Sequence, residues 1–352
     1  MTATTELPQP QSRLKSLAVS ITPPVVGALI GLAIGGVLIL LAGANVLEVY
    51  GSMLRGAFGG QRQITETILK TMPLLMVGLG LTVAFRAKVW NIGGEGQFFM
   101  GALFGSVIAL MFPGLPRPVL LLMMLMAGAL GGMMWALVAG YMKIKWNVNI
   151  IISTLMLNYI AVFFVLYMAR GPLQDPNGYL PESAQFVKAA RMPTFFGTRI
   201  HLGVLLVLLL VPIVYALLWH TPLGFRLRAV GSRASVARYA GYSVNRSILF
   251  VMAFSGALIG LAGIIEVSTL HTRLKGEISG GYGFTGILVA LLGRMNPIGV
   301  LVASFLFAAL IIGAESMHVV SGLPSALADA IQAIIVLSVL AVDGLVRKRR
   351  NS

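Results

Sequence analysis

Residues 202–219 read LGVLLVLLLVPIVYALLW, and residues 220–246, directly after them, read HTPLGFRLRAVGSRASVARYAGYSVNR. The first stretch is apolar throughout and carries no charge. A run of about 20 such residues crosses the hydrocarbon core of a bilayer as a helix. The strict in–out alternation of a membrane barrel strand is absent. The second stretch carries five arginines (Arg226, Arg228, Arg233, Arg238, Arg246) and no acid. A lipid-soluble helix followed at once by a basic aqueous loop sets the pattern for the whole chain.

The composition agrees. Of 352 residues, 57% are hydrophobic and only 11% are charged. A water-soluble fold could not cover that much apolar side chain. The backbone must therefore be satisfied inside lipid, which leaves helices or a closed barrel. A net charge of +15 would point to nucleic acid in a soluble chain. Here the bias of lysine and arginine toward cytoplasmic loops accounts for it, and no nucleic-acid partner is expected. There is no cysteine, which excludes disulfides, thiolate metal sites and a thiol nucleophile. His201, His220, His271 and His318 are scattered, so no metal site is expected.

Outward from this helix the apolar runs repeat. A retained first span covers 23–47, a polar loop 48–63, and a second span 64–85. The segment Asn91 to Gln97, NIGGEGQ, breaks the pattern before a third span to Met111. Spans at 119–142 and 146–169 flank a tight basic connection. Residues 171–200, with four prolines, read as an irregular, partly packed external loop. After the basic loop come a span at 247–270, a half-length apolar run at 284–293, and spans at 298–314 and 323–342. The expected fold is an all-α polytopic membrane protein of about ten transmembrane helices, some of them broken or half-length. Gly93-Gly94-Glu95-Gly96 and Gly280-Gly281-Tyr282-Gly283 echo one another and allow an inverted repeat.

Ten crossings put both termini on one side. Sixteen of the 26 lysines and arginines then fall on that side, among them Arg13, Lys15, Arg86, Lys88, the loop arginines and Arg347 to Arg350. That side is expected to be cytoplasmic. The domain reading is a cytoplasmic tail over 1–22, a transmembrane domain over 23–346 and a basic cytoplasmic tail over 347–352.

Polar residues inside the bundle need a reason. Asn91, Gly93, Gly94, Glu95 and Gln97 form an unwound, glycine-rich entry whose free backbone groups need water, protein or solute. Glu95 either faces a wet cavity or pairs with Arg86 or Lys88 in an interfacial turn. Asn149 with Ser153, and Thr154 with Asn158, are i,i+4 pairs that give one span two polar strips, for solute or for a neighbouring helix. Glu266 is a third candidate for the pathway. Asp329, with Gln332 near it, lies well inside its apolar run and is expected to face the bundle. In the basic loop, Leu227, Val230, Ala234 and Ala237 recur at three- and four-residue steps, which predicts a short helix around Arg226 to Tyr239.

The segments FRAKVWNIGGEGQFFMGA (85–102), IISTLMLNYIA (151–161), GFRLRAVGSRASVARYAG (224–241) and ALLGRMNPIG (290–299) resemble the permease subunits of ABC importers for nucleosides and simple sugars. That group is related to branched-chain amino acid permeases. Two positions depart from the usual pattern: Ile150 stands where relatives often carry an acid, and Arg233-Ala234 where many have Asn-Pro. The resemblance implies a multi-pass permease in the inner membrane that forms the path for a nucleoside or related sugar. It also implies a separate ATPase carrying ATP and magnesium, an extracytoplasmic binding protein, and a second related permease, as a heterodimer or a homodimer. The basic loop then carries the coupling helix. Arg226, Arg228, Ala229, Gly231, Ala234, Ala237, Arg238, Tyr239 and Gly241 are its candidate contacts with the ATPase. The chain itself has no GxxxxGK[ST] phosphate loop, so it is expected to be a transport subunit and not an enzyme, with no cofactor of its own. The alternative is an ion-coupled secondary transporter with Glu95, Glu266 or Asp329 as relays.

Overall fold

The computed structural model describes residues 10–195 and 198–351. The expected tail residues 1–9 and Ser352 lie outside the described residues, as do the side chains of Arg13, Lys15 and Arg347 to Arg350. Among the described residues there are thirteen α-helices and no strand beyond isolated bridges. In chain order they are α1 (Pro10–Leu41), α2 (Val46–Phe58), α3 (Gln61–Arg86), α4 (Gly94–Met111), α5 (Arg117–Trp146) and α6 (Ile150–Arg170). After a long loop come α7 (Leu202–His220), α8 (Pro222–Ser232), α9 (Ala234–Tyr239) and α10 (Val244–Glu266). The chain closes with α11 (Tyr282–Leu292), α12 (Pro297–Ser321) and α13 (Ser325–Asn351).

Among the described residues, eight helices are long and apolar enough to cross a membrane, and α1 with α2, bent by 119°, make a ninth when counted as one span. The short α11 has 11 residues. At 1.5 Å per residue it reaches about 16 Å, roughly half the hydrocarbon core. In chain order the helices match the expected elements, with eight or nine long enough to cross where about ten were read, and α11 standing at the half-length run. The loop expected at 48–63 is instead mostly helix. Gly43, at φ 79°, turns the chain out of α1, and Asn45 caps α2 by accepting from the Leu47 N–H. The N-terminal tail expected over 1–22 is helical from Pro10, and the C-terminal tail is the end of α13.

The chain divides into two compact units, residues 1–63 with 309–352, and residues 64–308. In the first, α1 lies along α13, and Ile39, Val49, Met53, Met317, Ile331 and Ile335 form its core. Asp329, expected to face the bundle, is exposed. It is the fifth residue of α13, just past the helix's first turn.

In the second unit α4, α5 and α10 pack through glycine. A Cβ on Gly260 of α10 would overlap the Gly128 carbonyl of α5, and one on Gly101 of α4 would overlap the Gly260 backbone. Helices in lipid gain no hydrophobic attraction for one another. Close van der Waals approach of backbones is what holds them, and only small residues permit it. The loop at 171–200 is irregular yet anchored, as its composition suggested. Arg273 Nη1 donates to Asp175 Oδ2 at 2.9 Å and to Glu182 Oε1 at 3.1 Å. The Phe186 N–H donates to the Thr272 carbonyl at 2.9 Å, and its ring is buried. Arg199 pairs with Glu66. At the start of α7, burial pushes the His201 imidazole down to about 4.

Candidate translocation site and coupling element

The chain between α3 and α4 unwinds over residues 87–93; backbone carbonyls meet the N–H groups of Ala87, Lys88, Val89 and Asn91, and side chains meet the groups nearest α4. Asn91 Oδ1 accepts from the Gly93 N–H at 2.9 Å and from Gln97 Nε2 at 2.9 Å. Asn91 Nδ2 donates to Gln97 Oε1 at 3.0 Å and to Ser255 Oγ at 3.1 Å. From α6, Thr154 Oγ1 accepts from the Ile92 N–H, and Asn158 bridges the gap, accepting from the Gly96 N–H at 2.8 Å and donating to the Ile92 carbonyl at 2.9 Å. Asn91, Gln97, Thr154 and Asn158 are all buried. The polar residues that sequence pattern picked out are thus brought together, and their first work is to hold a broken helix. Ser153, also buried, donates to the Ile150 carbonyl within its own helix. Asn149 lies apart from them, exposed, as the cap of α6 accepting from the Ile151 N–H.

The second break answers the first. Gly280 and Gly281, at φ 56° and 85°, lead into α11 through the left-handed region that favours glycine. The N-termini of α4 and α11 meet there. A Cβ on Gly283 would overlap the Glu95 backbone, and Glu95 Oε2 accepts from the Gly283 N–H at 2.8 Å. Ser279 and the Gly281 N–H also donate to this carboxylate. Glu95 therefore caps α11 from another helix. This replaces the interfacial pairing with Arg86 or Lys88 that the sequence left open. Beside Gly283, the Tyr282 hydroxyl donates to Glu266 Oε1 at 3.3 Å, and Lys70 Nζ lies 5.4 Å from the Tyr282 ring centroid. Glu266 is buried and precedes a π-helical turn, Val267–His271.

A cavity of about 530 Å³ opens beside Glu95 and Asn158. Phe99, Tyr159, Phe163 and Phe284 wall it, and Glu277 and Ser279 add polar groups. Tyr159 and Phe163 are 55% and 65% exposed and continue a stripe with Met156 and Tyr167 along α6. Sequence reading missed this aromatic wall. Its i,i+4 spacing was visible, but nothing local says that a bulky apolar stripe borders a cavity instead of lipid. Asn91, Gly93, Gly94 and Gln97 are not among the residues that line the cavity, and neither is Glu266.

The basic loop holds two helices where one was expected around Arg226 to Tyr239. Arg233 is extended, at φ −146° and ψ 106°, and separates α8 from α9. Thr221 caps α8 by accepting from the Gly224 N–H. Leu227, Val230 and Gly231 are buried, and Ala229 and Arg228 half-buried, so α8 is bound to the bundle. On α9, Ala237 is buried, while Ala234, Val236, Arg238 and Tyr239 are exposed. Gly241, at φ 81°, turns the chain away. Arg226 is exposed and its guanidinium lies 5.7 Å from the Tyr242 ring.

An all-α, multi-pass bundle with paired broken helices and a basic, partly unpartnered surface loop defines a membrane transport subunit. Residues 63–340 match the family described as the branched-chain amino acid transport system permease component, and the chain belongs to that family. It is 35% identical to the glucose ABC transporter permease protein TsgB13 of Haloferax volcanii, over 93% of this chain and 88% of that one. It is 36% identical to the guanosine ABC transporter permease protein NupP of Bacillus subtilis, over 90% and 92%. A nucleoside ABC transporter permease protein of Lactococcus lactis, NupB, is 28% identical over 89% and 88%. No solved structure matches the chain. The chain is an ABC importer permease, a transport subunit and not an enzyme, and ATP hydrolysis lies with a separate ATPase.

Proposed function

We propose that this permease carries a nucleoside or a closely related sugar, and that the solute passes the cavity between α6, the α4 entry and the 276–284 segment. The observation that carries this reading is the lining: four aromatic rings beside a few hydrogen-bonding groups. A planar base stacks on such rings, while Asn158, Glu277 and Ser279 can meet ribose hydroxyls. The names of the guanosine and nucleoside permeases above support the same solute class, and that of the glucose permease supports the sugar. Glu95 and Asn158 border the path. Asn91, Gly93, Gly94, Gln97, Ser153 and Thr154 shape it from behind, Asn149 fixes the start of α6, and Glu266 braces α11.

In this reading both termini and the α8–α9 surface are cytoplasmic, in the inner membrane. The exposed face of α9 docks into the ATPase, which binds ATP and magnesium. A second related permease covers the α6 stripe, and an extracytoplasmic binding protein delivers solute to the side of residues 171–200. Exposed ion pairs in the α9 contact give only about 0–1 kcal/mol each, so shape outweighs charge. The test is Ala234→Trp in the assembled complex. Solute-stimulated ATP hydrolysis and guanosine uptake should both be lost while membrane insertion persists. Arg233→Ala should change them little. Uptake at the parental rate by the tryptophan variant, driven by a proton gradient without the ATPase, would instead establish a secondary transporter.

A further inference from the structure

Arg86 touches both α8 of the basic loop and the turn that follows α11. Arg86 ends α3, a helix buried along most of its length. On one side α8 lies directly against it: a Cβ on Gly231 would overlap the Arg86 carbonyl oxygen. Lys88 Nζ donates to the Ser232 carbonyl at 3.5 Å, and the Arg86 and Arg228 guanidiniums lie 5.0 and 5.9 Å from the Trp219 ring centroid. On the other side Arg86 Nε donates to the Met295 carbonyl at 2.8 Å, and Nη2 to the Arg294 carbonyl at 3.4 Å.

Those two carbonyls belong to the turn between α11 and α12. Arg294 and Met295 stand at φ 54° and 53°, in the left-handed region that is costly for side chains other than glycine. Two successive residues held there are a turn that would relax once its restraint is withdrawn. The guanidinium on their carbonyls is such a restraint. The other end of α11 is held by Glu95 and by the Tyr282–Glu266 bond. The short helix is therefore pinned at both ends, and the pin at its C-terminal end is in contact with α8.

We propose that Arg86 is the positioning residue that passes a displacement of α8 to the α11–α12 turn, and so links the ATPase-facing surface to the cavity at the far end of α11. The inference rests on the reading of α8–α9 as the ATPase contact. Gly231 leaves no slack between α8 and the α3 terminus, so movement of α8 shifts the Arg86 backbone and its guanidinium together. The carbonyls at 294 and 295 then follow or are released.

The chain has no cysteine, so spin labels can be placed freely. Label pairs are Ser235→Cys with Tyr141→Cys, and Ile298→Cys with Tyr141→Cys, in the full complex with its ATPase and binding protein. On adding a non-hydrolysable ATP analogue, both distances should change in the parent. In Arg86→Met the first should still change and the second should not, and ATP consumed per solute imported should rise about tenfold. Arg86→Lys should recover part of the coupling, because an ammonium can still donate to one carbonyl. If the 298 label is static in the parent, or still moves fully in Arg86→Met, the link does not exist. If the methionine variant fails to assemble, Arg86→Lys carries the test: a 298 distance change as large as the parent's in that variant would refute the link. A static 235 label in the parent would instead refute the α9 docking surface, a separate failure.

Discussion

Consider Glu95→Gln. The carboxylate accepts from the Gly283 N–H at 2.8 Å and from Ser279 and the Gly281 N–H, all at the N-terminal end of α11. Glutamine keeps one acceptor oxygen, but its amide nitrogen points two donors where donors already converge. A hydrogen bond to a charged group is worth about 1.5–3 kcal/mol, against about 0.5–1.5 for a neutral one, so roughly 1–1.5 is lost there. The charge also interacts with the α11 N-terminus, worth up to about 2 kcal/mol in partly buried geometry. Removing the charge relieves its own desolvation, which offsets part of the loss, so the net falls near about 2 kcal/mol. An opening equilibrium shifted by that amount changes roughly thirtyfold. Hydrogen exchange on the purified permease in nanodiscs should therefore speed up about thirtyfold at Gly283 and the first turn of α11. Exchange across α5 and α10 should not change. Assembly with the ATPase should persist and uptake should fall. Parental exchange in α11 would refute the reasoning, because it would mean that the carboxylate does not hold the helix.

Gly260→Ala should push α10 off α5, at about 1–3 kcal/mol, and lower the unfolding midpoint in detergent; Gly114→Ala, at a site with no heavy atom within 4 Å, should not. Arg273→Met leaves Asp175 and Glu182 facing one another without their shared cation. Because that arginine is about a quarter exposed, the effect is about 1 kcal/mol, read as roughly fivefold faster proteolytic cleavage within residues 171–195. His201 is held neutral, with its imidazole pushed down to about 4, while an unfolded histidine titrates near 6.5. The unfolded chain binds the extra proton between those values, so stability is intact above about pH 6.5 and declines as pH falls toward 4. Thermal melts of His201→Phe should lose that acid sensitivity if the histidine is its source.

The apolar runs determined the class of fold. A residue's transfer into lipid is an additive, local property, so runs such as 202–219 announce helices without any knowledge of their neighbours. Glycine also spoke locally: NIGGEGQ and the 280–283 segment read as breaks because free backbone at membrane depth needs special partners. The same local reading failed where helix ends decide exposure. Asp329 looked embedded in an apolar run, yet α13 begins at Ser325 and leaves it exposed near the helix start. The helix expected around 226–239 has the right periodicity throughout, and only the tertiary structure shows the break at Arg233. Partner identity was likewise invisible. The bonds Glu95 to Gly283 and Arg86 to Met295 join residues 188 and 209 positions apart. No periodicity encodes such a pairing, because it arises from where whole helices cross. The sequence supplied the carboxylate, the guanidinium and the two glycine-rich breaks, and packing of α3, α4, α8 and α11 decided that they meet.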